Sequence, residues 1–150
     1  MKSDKIHLQL KEFNTILKET DAIYSRLARQ IGLSDCGFWL MYSIREADGK
    51  CTQRELCDQW IMSKQTVNSA LKKLEKKGYI TLTSSKTDKR IKYITLTDEG
   101  IQYAQKTIDI VFGLEKLALE KMSPSERVNM IKTAQKYQEL FLAETKRFLK

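Results

Sequence analysis

Histidine occurs once in these 150 residues, at His7, and proline once, at Pro124. One imidazole cannot furnish a multi-histidine metal site or a set of base-activated nucleophiles, so no metal and no cofactor is expected. Scarce proline and only six glycines disfavour collagen-like, low-complexity and loop-rich architectures. No apolar run approaches the ~18 residues needed to cross a bilayer. The opening Met1-Lys2-Ser3-Asp4-Lys5 leads into alternating polar and apolar residues rather than the apolar heart of a signal peptide, so a cytoplasmic location is expected. Three cysteines, Cys36, Cys51 and Cys57, form neither a C-x-x-C pair nor a disulfide framework, and free thiols suit a reducing compartment. There is no glycine-rich phosphate loop and no grouping of nucleophile and base, so the chain does not read as an enzyme.

What is present is charge, and it is concentrated. The net charge is +8. Residues 1–49 balance to zero and residues 98–150 to +1, whereas residues 50–97 hold eleven basic and four acidic side chains. A basic patch of this kind is the electrostatic footprint of a polyanionic partner.

Apolar spacing sets out the elements. Ile6, Leu10, Phe13, Leu17, Thr20, Tyr24, Leu27 and Ile31 alternate spacings of four and three, with Ile16 and Ile23 beside them, which predicts a long helix ending near Gly32. Ser34 caps a second helix, about 35–47, that is apolar nearly all round and therefore central. Asp48-Gly49 is a turn. Thr52 with Glu55 opens a short helix to about Trp60 in the reciprocal capping pattern. Ser63 caps another, about Lys64 to Lys77, closed by Gly78. On that helix Val67, Ala70, Leu71 and Leu74 share one face, and Lys64, Gln65, Asn68, Ser69, Lys72 and Lys76 lie largely on the other. Two β-like runs, 79–83 and 91–96, flank the polar segment Ser84–Arg90 and predict a hairpin with a basic tip. Thr97 reads as the cap of one helix over about 98–120. Ser123-Pro124-Ser125-Glu126 opens a last helix, with Met130, Ala134, Tyr137, Phe141 and Phe148 on one stripe.

Helix, short helix, sharp turn, amphipathic helix and basic hairpin make a winged helix-turn-helix. The fold class is mainly α with a small β-hairpin wing. A helix fits the major groove of B-DNA. Here its outer face offers Gln65, Thr66, Asn68 and Ser69 near its start and Lys72 and Lys73 farther along. Gln and Asn can pair with adenine edges, and lysines mostly meet phosphate. Ser63, a cap first, also leaves a helix N-terminus suited to a phosphate.

The segment Ser63-Lys-Gln-Thr-Val-Asn-Ser-Ala-Leu-Lys-Lys-Leu-Glu-Lys-Lys-Gly-Tyr-Ile80 resembles the recognition helix and wing entry of the multiple-antibiotic-resistance regulator (MarR) family. Thr87-Asp88-Lys89-Arg90 and Leu96-Thr97-Asp98-Glu99-Gly100 match its D-x-R wing and L-T-x-x-G junction. The resemblance implies that Arg90 enters the minor groove while Asp88 holds it, with Lys86 and Lys89 beside them. Ser69 departs from the family, standing where many members carry a basic residue. The resemblance also implies one domain, with helices in 1–33 and 98–150 forming a homodimer around a winged helix-turn-helix at 34–97. The partner is double-stranded DNA, read as a pseudo-palindrome, and the default activity is repression relieved by a small aromatic or lipophilic effector. Phe38, Trp39, Tyr42 and Trp60 could line a pocket for it. Cys36, in the first turn of a helix whose dipole favours thiolate, is the candidate redox switch. The alternative reading is a winged-helix module that binds protein, which requires a neutral or apolar outer face on residues 64–77.

Overall fold

The computed structural model describes residues 4–60 and 62–149, so Met1-Lys2-Ser3 lies outside the described residues. The elements run α1 Lys5–Gln30, α2 Asp35–Glu46, β1 Lys50–Thr52, α3 Gln53–Trp60, α4 Lys64–Lys76, β2 Ile80–Ser84, β3 Lys92–Leu96, α5 Asp98–Lys106, α6 Ile108–Glu120 and α7 Pro124–Phe148. They fall into two compact units, the first ending at Ile110 and the second beginning at Val111.

Local chemistry accounts for most boundaries. Ser34 Oγ accepts from the Gly37 N–H at 3.0 Å. Thr52 and Glu55 exchange bonds of 2.7 and 3.2 Å. Ser63 Oγ accepts from Thr66 N–H at 3.1 Å, and Ser123 with Glu126 forms a full capping box. Each supplies a partner to an N–H that the first helical turn leaves orphaned. After α1 and α4 the chain turns through Gly32 and Gly78 with φ near +80°, a conformation that a Cβ makes costly.

Within the first unit, α2 is the axle. Phe38, Leu40, Met41 and Ile44 are buried, joined by Leu56 of α3, by Val67, Ala70, Leu71 and Leu74 of α4, and by Ile80, Ile94 and Leu96 of the sheet. Ten or so fully buried aliphatic and aromatic side chains, at about 1.5–3 kcal/mol each, supply the bulk of the driving force. Near the end of α1, Tyr24 packs on Trp39 with ring centroids 4.6 Å apart, and Ala28 is buried. Upstream, Ile6, Leu10, Phe13, Ile16, Leu17 and Ile23 are exposed.

Two expectations change. The hairpin belongs to a three-stranded antiparallel sheet of order β1-β3-β2, in which Ile94 faces Cys51 on one side and Leu82 on the other. β1 is too short for periodicity to reveal. The single helix expected over 98–120 is two helices, broken at Thr107 (φ −133°, ψ −72°). The Thr107 hydroxyl donates to the Tyr103 carbonyl at 2.6 Å and its N–H to Ala104 at 3.2 Å. That back-bonding by a β-branched side chain tightens and ends the turn.

The sheet meets α5 through a tight junction. Thr97 caps α5 by accepting from Gly100 N–H at 3.0 Å, and its hydroxyl donates to the Gly78 carbonyl. Thr97 N–H donates to the Tyr79 carbonyl at 3.1 Å. A Cβ on Gly100 would stand 1.9 Å from that same carbonyl oxygen, which explains the glycine of the junction without appeal to φ. In the second unit, none of the described α7 residues is buried, and Val128, Ile131, Leu140 and Phe141 are more than half exposed.

Gly100→Ala is expected to destabilise the protein by about 3 kcal/mol, because backbone rather than a flexible side chain must yield. Urea unfolding measures it; a change below about 1 kcal/mol would show that Tyr79 and α5 can part freely.

Candidate nucleic-acid interface

The amphipathic pattern of α4 divides it cleanly. With Val67, Ala70, Leu71 and Leu74 facing the core, Ser63, Lys64, Gln65, Thr66, Ser69, Lys72 and Lys73 are exposed and Asn68 is half-buried. The outer face is therefore polar and cationic, the opposite of what a protein-binding winged helix requires. Thr66 Oγ1 lies 2.8 Å from Ser63 Oγ, so part of its hydrogen-bonding capacity is spent at the cap.

The wing is built as carefully as the helix. Buried Ser85 turns its hydroxyl oxygen to the N–H groups of Thr87 and Asp88, both at 3.3 Å. Ser85 N–H donates to Ile91 at 2.9 Å and Ile91 N–H to Asp88 at 3.0 Å, closing the loop. Asp88 then receives three bonds from one residue. Its Oδ1 accepts from the Arg90 backbone N–H at 3.0 Å and from Arg90 Nε at 3.1 Å, and its Oδ2 accepts from Nη2 at 3.2 Å. This bidentate pair holds a guanidinium whose side chain is still 90% exposed. A fork oriented by its own turn loses less rotamer freedom when it meets a partner. The same bonds hold the Asp88 carboxyl below the usual aspartate range. Lys86 and Lys89 are exposed on the same loop.

Helix and wing share one side of the first unit. Lys64 of α4 lines a groove with Asp88, Arg90, Ile91 and Lys92. One turn along, Asn68 and Lys72 border a second depression with Leu82, Thr83, Ser84 and Lys92. Gln53, Arg54 and Lys92 were not singled out from the sequence, although the last two belong to its basic surplus. Their only local signal is position at a helix start or a strand start, and the fold alone brings them to the wing.

Cys36 departs from expectation. Burial pushes its thiol up, with Lys73 offsetting only part of the rise. Its Sγ lies 3.6 Å from Met62 Sδ. The shift is upward, the opposite of the lowered thiol expected from its place in the first turn of the helix. Burial raises Cys57 as well, and Cys51 is pushed up to about 11. The four aromatics do come together: Trp39 lies 4.7 Å from Trp60, 5.3 Å from Tyr42 and 5.1 Å from Phe38 between ring centroids. Phe38 is wholly buried and serves the core. Trp60 Nε1 donates to buried Ser43 Oγ at 2.6 Å, which anchors α3 to α2.

Residues 31–91, running from the end of α1 through the wing loop, match the model of the MarR family. Over that segment the chain is similar to the MarR family. Among curated relatives, it is 32% identical over 83 residues to the HTH-type transcriptional regulator SarZ of Staphylococcus epidermidis, covering 55% of each chain. It is 31% identical over 91 residues to SarZ of Staphylococcus aureus, covering 61% of this chain and 53% of that one. The chain thus spans about half the length of the curated relatives it matches. Solved structures share the fold over more of its length. A MarR family regulator from Neisseria meningitidis superposes with a TM-score of 0.78 at 19% identity, covering 93% of this chain and 97% of that one. The organohalide-sensing transcriptional regulator RdhR-CbdbA1625, in its 2,4-dichlorophenol-bound form, gives 0.70 at 20% identity over 95% and 84%. The MarR family and these relatives are transcriptional regulators, not enzymes.

A depressed carboxyl has a definite sign. The Asp88–Arg90 pair is intact at neutral pH and is lost as pH falls through the folded-state value, which lies below the ~3.9 of a free aspartate. Carboxyl-carbon NMR should place the Asp88 midpoint under that of an unfolded reference and return it upward in Arg90→Ala. Coincident midpoints in the two proteins would deny the pairing.

Proposed function

We propose that this chain is a DNA-binding transcriptional regulator that lays α4 in the major groove and Arg90 in the adjoining minor groove. The observation that carries the reading is the common side occupied by the polar face of α4 and a wing arginine held out by its own aspartate. Gln65 and Asn68 are the side chains suited to adenine edges, with Ser63, Thr66 and Ser69 beside them. Lys64, Lys72, Lys73, Lys86 and Lys89 supply phosphate charge. A narrow minor groove concentrates negative potential, and a preoriented guanidinium is the group that exploits it.

The protein acts as a homodimer. Exposed apolar faces on α1 and on α7 are too extensive to be left to water in a lone chain, and a two-fold axis would present two recognition helices to a pseudo-palindromic site. Repression is the expected sense of control. The partly exposed Trp39, Tyr42 and Trp60 are where a small aromatic effector would act, in keeping with the dichlorophenol bound by the organohalide-sensing regulator.

Fluorescence anisotropy on a duplex enriched from a random-sequence pool, and on a scrambled one, tests the DNA reading. Binding should weaken steeply with salt. Arg90→Ala should cost about 1–3 kcal/mol on the enriched duplex. Lys72→Ala should weaken both duplexes alike and reduce the log–log salt slope by about 0.9. Absence of duplex binding at low salt would overturn the proposal in favour of a protein partner. Sedimentation equilibrium should return twice the 17.5 kDa of one chain, and a monomer mass would remove the dimer.

A further inference from the structure

The starts of α3 and α4 and the base of the wing enclose a groove of about 570 Å³. Four cations, Arg54, Lys64, Arg90 and Lys92, lie along it, and its one carboxylate near the wing, Asp88, is already engaged by Arg90. Gln53 also lines the groove. It is only 5% exposed, and neither its amide nitrogen nor its amide oxygen has a hydrogen-bond partner. Among the described residues no other buried side chain is left so. A buried amide without partners bears its full desolvation penalty, which an apolar residue of the same size would avoid. Nor does α3 require Gln53 for its cap, because Thr52 and Glu55 already make one.

Geometry indicates what the groove is for. With α4 in the major groove and Arg90 in the minor groove, the sugar-phosphate strand that divides them must cross the protein between Lys64 and Arg90. Those two residues line the groove together. We propose that the groove is a phosphate seat for that strand, in which Gln53 turns its carboxamide outward to donate to a non-bridging phosphate oxygen while Arg54 and Lys64 supply charge. The proposal rests on the DNA-binding reading and extends it to the start of α3. The unpaired amide is then a group kept for a partner, with its cost borne by the free protein.

Three proteins and one set of duplexes test it: wild type, Gln53→Met and Arg54→Gln, with single methylphosphonate substitutions stepped along each strand of the enriched duplex. Gln53→Met keeps side-chain length and removes the amide, so it should unfold at the same temperature as wild type or higher. It should bind the unmodified duplex roughly three- to tenfold more weakly, the loss of one neutral hydrogen bond, with the salt slope unchanged. Arg54→Gln should lower affinity and reduce the slope by about 0.9. At one phosphate, methylphosphonate should weaken wild type and leave Gln53→Met no weaker than it already was. That coupling reads the contact whatever happens to folding stability. If wild type binds duplex and no phosphate shows coupling to Gln53, the seat is refuted while DNA binding stands. If wild type does not bind duplex at all, the underlying reading falls with it.

Discussion

The arrangement of helix and wing depends on a close approach between two backbones, the carbonyl of Tyr79 and the side-chain-free face of Gly100. Gly78 ends the turn after α4, Tyr79 leads into β2, and Thr97 follows β3, so this one junction gathers the exit of α4 and both strands of the wing. The Thr97 hydroxyl serves twice, as donor to the Gly78 carbonyl and as acceptor from the Gly100 N–H. Tyr103 stacks on Tyr79 at 4.1 Å and donates its hydroxyl to the Ile31 carbonyl at 2.6 Å, tying the junction to the end of α1. Short range and paired donors leave little freedom there. A wing fixed this way can hold a guanidinium at a set distance from α4, which a flexible hairpin could not do.

Rigidity matters because the interface is electrostatically costly when empty. Lysines on α4 and the wing repel one another, and among the described cations of the wing loop only Arg90 forms an ion pair. Self-repulsion of this kind opposes folding modestly in water of ordinary ionic strength, and the buried face of α4 outweighs it. The Asp88–Arg90 pair, exposed as it is, contributes little to stability. Its value is orientation. A dedicated turn, with Ser85 beneath it, spends three hydrogen bonds to aim one side chain.

Much of this was legible in the residue order, and the reason is range. Ser34, Thr52, Ser63 and Ser123 act on N–H groups three residues away, so their caps can be read locally. The α4 stripe is likewise local, and Val67, Ala70, Leu71 and Leu74 are buried as the spacing required. What escaped was tertiary. Strand β1 exists because Cys51 finds Ile94 forty-three residues on, and three residues carry no period of their own. The break at Thr107 sits inside an uninterrupted apolar rhythm, and only a back-bonded hydroxyl marks it. The thiol of Cys36 is read from its helix position, whereas burial sets the direction of its shift. Gln53, four residues past the turn at Gly49, carries no sequence sign that its amide is left without partners.

The exposed apolar side chains set a further constraint. Apolar area left in water forgoes about 25 cal/mol per Å², so the exposed faces of α1 and α7 hold stabilisation that the lone chain does not realise. Helix α1 gains packing near Tyr24 and Ala28, while its earlier turns display Ile6, Phe13, Ile16 and Leu17. Helix α7 has a strong capping box but no buried described residue, so its 25 residues are held chiefly by propensity and local bonds. In proteins most helical stability comes from packing of an apolar face rather than from propensity. In the proposed homodimer a second copy would supply that surface, since the same faces are present on it in the same order. Under the proposed homodimer, association would be part of folding rather than an addition to it.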